Sequence, residues 1–115
     1  MKYMLLVYLE EEALSETERE QCYVTSARLA QEIHANGQYL DAAPLHPTST
    51  ATSIRVRDGK RLMTDGPFAE TREQLGGYYL INAKDLNDAV QVASRIPGAQ
   101  HGTVEVRPIM EFNQP

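Results

Sequence analysis

Two stretches of this chain are apolar on both sides of an extended backbone, and that restricts its fold more than any other feature. In Lys2–Leu9, Tyr3, Leu5, Val7 and Leu9 share one face of a strand, while Met4, Leu6 and Tyr8 share the other. Residues 75–82 repeat the pattern, and Gly76-Gly77 within them lets another backbone approach closely. A strand of this kind has to be covered on both faces. A chain of 115 residues supports one modest core, and its helices can cover only one side of a sheet.

The segments between these strands carry clear start and stop signals. Ser15 opens a helix, with Glu18 three residues on to complete a capping box. Cys22, Leu29, Ala30 and Ile33 recur at helical spacing as its buried stripe. His34 lies on the border of that stripe. Asn36-Gly37 ends the helix, because glycine takes the left-handed position there without steric cost. A short strand follows over residues 38–43, and Pro44 and Pro47 break the chain around His46. Residues 50–57 and 60–64 form a hairpin across Asp58-Gly59, the strongest short turn signal available. A two-residue turn fixes its register, so Ile54, Val56, Met63 and Asp65 share a face, and Arg55, Arg57 and Lys60 share the opposite one. Asp85 caps a second helix with Asp88 at its third position and Leu86, Ala89, Val90 and Ala93 as its stripe; Pro97-Gly98 stops it. The last strand covers residues 103–109, with Pro108 favouring an edge position.

The resulting order is strand, helix, strand, hairpin, strand, helix, strand. Two such βαβ units predict one α+β domain over residues 1–115, a ferredoxin-like split βαβ sandwich with an inserted β-hairpin. Its first and third core strands are central, and these are the two strands that are apolar on both faces. The sheet of a second copy is the economical cover for the face the helices leave open, so a homodimer through sheet faces is expected.

Composition bounds the partners. A net charge of −5 argues against nucleic acid or an anionic membrane surface. The single cysteine, Cys22, excludes an intrachain disulfide and points to a reducing compartment; on the buried stripe it reads as inert. The apolar run near the start is too short for a signal peptide and runs into Glu10-Glu11-Glu12, so a cytoplasmic location is expected. His34, His46 and His101 lack metal-ligand spacing, and neither a phosphate loop, a dinucleotide fingerprint nor a Ser-His-Asp signature is present. Neither metal nor cofactor is expected. Residues 75–81 echo the RNA-binding strand of RRM domains, but the leading basic residue is missing and the glycine and aromatic spacing differs.

The run from Thr64 through Asp65-Gly66-Pro67-Phe68 to Gly76-Gly77-Tyr78-Tyr79 resembles the signature of the DGPF family within the YCII-related proteins. The opening Met1-Lys2-Tyr3-Met4-Leu5-Leu6, the hairpin Ile54 to Lys60 and the closing His101 to Pro108 match in the same order. The resemblance implies a dimeric α/β barrel, in agreement with the two-faced strands. Some YCII-related proteins carry a His on the first helix and an Asp near the end of the second, proposed as a catalytic pair. Aligned by helix ends, those places hold Ser26 and Ile96 here, so that chemistry does not carry over. The resemblance also implies a link with transcription-initiation factors of the extracytoplasmic-function class.

Asp65 is the candidate catalytic residue, a carboxylate at the sheet rim facing a cleft between subunits; its structural alternative is capping of turn amides. His46, Glu73, Tyr78 and Arg107 are candidate ligand-binding residues. Each has a plainer role: loop residue for His46, solvated connection for Glu73, strand residue for Tyr78, salt bridge for Arg107. Two functions follow: a small-molecule binder or cofactor-free enzyme with an inter-sheet cleft, or a non-catalytic regulatory or interaction module using the hairpin's basic face or the acidic first helix. Gly76-Gly77 reads as close backbone packing.

Overall fold

The computed structural model describes residues 1–112. In chain order it contains β1 (Lys2–Leu9), α1 (Glu16–Ala35), β2 (Tyr39–Pro44), a 3-10 turn (Thr48–Thr50), β3 (Thr52–Arg57), β4 (Lys60–Asp65), β5 (Gln74–Asn82), α2 (Leu86–Ser94), α3 (Gly98–His101) and β6 (Thr103–Pro108). The main sheet is antiparallel with order β2-β5-β1-β6, and β3-β4 forms a separate ribbon. That order is the ferredoxin-like one, with the two-faced strands β1 and β5 central. β6 lies at an edge, where Pro108 lacks no ladder partner.

The helix-side face of the sheet carries the core. Tyr3, Leu5 and Val7 of β1 and Tyr79 and Ile81 of β5 are buried there with Leu29 and Ile33 of α1, Ala89, Val92 and Ala93 of α2, and Ile96. Val104 and Val106 pack against them from β6. The opposite face is different. Met4, Leu6 and Tyr8, with Tyr78 and Leu80 beside them, are half-buried and have no helix over them.

Local chemistry sets the element ends. The Ser15 hydroxyl accepts from the Glu18 N–H at 3.1 Å, and the Glu18 carboxylate accepts from the Ser15 N–H at 3.0 Å, completing the capping box. Gly37 ends α1 at φ 82°, and Asp85 caps α2 by accepting from the Asp88 N–H at 2.9 Å. Asp58 and Gly59 adopt φ 53° and 73°, as a type I′ turn requires, and the hairpin register is the expected one, with Thr52 opposite Asp65 and Ile54 opposite Met63.

Three expectations need correction. The buried stripe of α2 is Ala89, Val92 and Ala93, continued by Ile96, while Leu86 and Val90 are exposed. Pro97 does not simply stop the chain: it precedes the one-turn helix α3, which ends at His101. Arg107 takes part in neither ion pair among the described residues, which join Lys2 to Glu111 and Arg95 to Glu32.

Candidate functional site

The clearest cavity lies on the helix side of the sheet, between α1 and the β2-β5 edge, and has a volume of about 390 Å³. Helix α1 is anchored by Leu29 and Ile33 in its second half. Around its middle, Cys22, Ser26 and Ala27 line the cavity with small side chains, beside Tyr23. Opposite them, Gly76-Gly77 of β5 add no volume. Tyr39 and Tyr79 wall the space, and Ile96 closes its floor. The Tyr79 hydroxyl donates to the Ser26 carbonyl at 3.0 Å, tying helix to sheet across the gap.

Its chemistry is neutral. Among the described residues, no Asp, Glu, His, Lys or Arg lines the cavity. Burial pushes the Tyr79 phenol up, so it stays protonated and acts as a donor. Burial, with the nearby Glu18 carboxylate, also raises the Cys22 thiol, which keeps it from being a ready nucleophile. Cys22 is half-buried rather than buried, since the buried positions of α1 are Leu29 and Ile33. Gly77 is a packing residue as well: a Cβ there would meet the Ala43 carbonyl oxygen at 3.0 Å.

Of the residues expected to form a site, only Tyr78 borders this cavity, and its hydroxyl and the other four residues fall elsewhere. Tyr78 and Arg107 lie on the open face, since Leu6 faces Tyr78 and Met4 faces Arg107 across neighbouring ladders. The Tyr78 hydroxyl donates to the Asp41 carboxylate at 2.7 Å, and this bond to an anion raises its phenol. Glu73 accepts from the Thr103 hydroxyl at 2.8 Å at the rim of the same face. His46 is an exposed loop residue beyond β2. Asp65 is exposed at the end of β4, off the main sheet. The turn after it is held by Gly66, whose N–H donates to the Ala51 carbonyl at 2.6 Å and whose carbonyl accepts from the Ser53 hydroxyl at 2.8 Å. Three of the five thus share the open sheet face, and Asp65 and His46 stand apart from it.

The helix-side cavity was missed because small residues are weak sequence signals. Ser26, Ala27 and Ala30 at helical spacing, set against a double glycine in the facing strand, were the available clue. Ser26 and Ile96 line this one cavity together, and these are the two places that the resemblance assigned to a catalytic pair.

The YCII-related domain matches residues 1–113. This chain belongs to the YCII-related family. An uncharacterized protein of Rhizobium meliloti is 35% identical over 118 residues, spanning 95% of this chain and 92% of that protein. Among the described residues no helix is long and apolar enough to cross a membrane, and no group of three His, Cys, Asp or Glu is placed to hold a metal ion.

Proposed function

We propose that this YCII-related protein binds a small, neutral, largely apolar molecule in the cavity beneath α1. The observation that carries the reading is the cavity itself: about 390 Å³, lined mainly by apolar and aromatic groups, with a few convergent polar ones. Ligand pockets of small molecules commonly have that size and lining. Binding is favoured over proton transfer because a general base needs a titratable group within reach of substrate, and no carboxylate or imidazole lines the space. Ser26 and Ile96 stand where a His and an Asp would otherwise supply that chemistry.

The same reading places the chain in the DGPF branch of the family, on the strength of the Asp65 to Tyr79 run, and in the cytoplasm, where a lone thiol stays reduced. It also proposes a homodimer, with the half-buried apolar face of β1 and β5 against the same face of a second copy. In such a dimer Tyr78, Arg107 and Glu73 line the contact, and Asp65 stands at its margin.

The test is titration with neutral aromatic probes, indole and naphthol, followed by NMR. Ser26→Leu fills the cavity without adding charge. We expect the parent to show shifts confined to the cavity lining, and the variant to lose at least tenfold in affinity while keeping its fold. Equal affinities would refute the assignment.

A further inference from the structure

We infer that the β3-β4 hairpin is an arm that clasps a second copy of this chain, its apolar face packing against the partner and its basic tip reaching the partner's acidic sheet rim. This extends the facing-sheet assembly proposed above and is independent of the cavity.

Among the described residues the hairpin has no strand partner outside itself. β3 and β4 pair with each other, while the other strands belong to the main sheet. Ile54, Val56 and Met63 share one face, flanked there by Arg61 and Asp65, and are 59%, 60% and 60% exposed. Leu62 on the other face is also more than half exposed. A solitary two-stranded hairpin is marginal in water, and a contiguous apolar stripe marks a surface that becomes covered. The overall shape agrees. The Cα radius of gyration is 16.0 Å with extents of 47 × 44 × 19 Å, whereas a compact domain of this length has about 13 Å.

Charge selects the occupant. The hairpin carries four cations (Arg55, Arg57, Lys60, Arg61) against two carboxylates (Asp58, Asp65), a net of +2 in a chain of net −5, which leaves −7 on the rest. Arg57, Lys60 and Arg61 cluster around the turn. On the open face of the main sheet, Asp41 on β2 and Glu105 on β6 place an exposed acid on each edge strand, with the exposed Arg107 two residues beyond Glu105. A second copy therefore offers both the apolar surface and the edge-strand carboxylates that the arm lacks at home. Two-fold symmetry makes every such contact twice. Each arm then needs to cover only about 300 Å² of its own surface, and an equal area of its partner, for the arms alone to reach the ~1,200 Å² of a stable interface.

The experiment measures the dimer dissociation constant of the full chain by sedimentation. Ile54→Thr/Val56→Thr/Met63→Thr removes the apolar stripe while keeping residues suited to a strand. A second variant reverses the tip (Arg57→Glu/Lys60→Glu/Arg61→Glu), and a third reverses the rim (Asp41→Lys/Glu105→Lys). We expect each to weaken the dimer at least tenfold. Mixing the tip-reversed and rim-reversed chains should restore a dimer of near-parental affinity, because every arm then meets a rim of opposite charge. Unchanged dissociation constants in all three variants would overturn the arm but leave the facing-sheet dimer standing. A parent that stays monomeric would overturn both.

Discussion

A methyl group on residue 102 would fall well inside contact distance of the Tyr8 carbonyl oxygen, because α3 hands the chain to β6 directly against the end of β1. Gly102→Ala should therefore cost about 1–3 kcal/mol, as overpacking does. The check is a lower denaturant midpoint at an unchanged slope. Asp65 is the opposite case. The bonds that hold its turn come from Gly66 and Ser53, and its own side chain is exposed. Asp65→Asn should change stability by no more than about 0.5 kcal/mol, as surface substitutions usually do. A larger loss in thermal unfolding would restore the capping role. The sequence showed Asp65 to be in a turn, but could not show that the turn is held without its carboxylate. That depends on which donors come near once the chain is folded.

Element boundaries were the legible part, and the hairpin explains why. Asp58-Gly59 admits one turn type and hence one register, so pairing followed without tertiary information. The caps of α1 and α2 were readable for the same reason: their partners lie three residues away. Helix faces were less so. On α2 the stripe was counted from Leu86, whereas packing selects Ala89, Val92, Ala93 and Ile96, the equally regular set begun one turn later. The one-turn α3 escaped because Pro97 marks both an ending and a permissible helix start. The capping box of α1 yields a pH prediction. Bonds from the backbone and side chain of Ser15 hold the Glu18 carboxyl below its usual value. A lowered folded value means that the box contributes fully above the ordinary carboxylate range and loses its contribution as pH falls through the lowered value. Glu18→Gln should thus be less stable than the parent near neutrality, and the two should converge in acid. Denaturant unfolding across that range reads it, and a gap that widened on acidification would contradict the cap.

At the scale of the whole molecule, the two faces of the sheet have separate roles. The sequence made the open face visible, because alternation along β1 and β5 exposes its apolar residues directly. It did not make the cavity visible, because a void arises where side chains are small, and small side chains leave no pattern of hydrophobicity. The separation has a measurable consequence. The cavity is walled by α1 and by the helix-side residues Val7, Gly77 and Tyr79, whereas the proposed dimer uses Met4, Leu6 and Leu80 on the other side, and Tyr78 borders both. A ligand beneath α1 should therefore bind once per chain, with an affinity that does not change as the protein is diluted through its dimer dissociation range. A site in a cleft between facing sheets behaves differently: it needs both copies, approaches one ligand per two chains when the copies share it, and disappears on dilution. Calorimetric titration with naphthol at two protein concentrations on either side of the dimer transition separates the cases. We expect a stoichiometry of one per chain and equal affinity at both concentrations. Binding that vanished in the dilute sample would move the site to the open face, beside Tyr78 and Arg107.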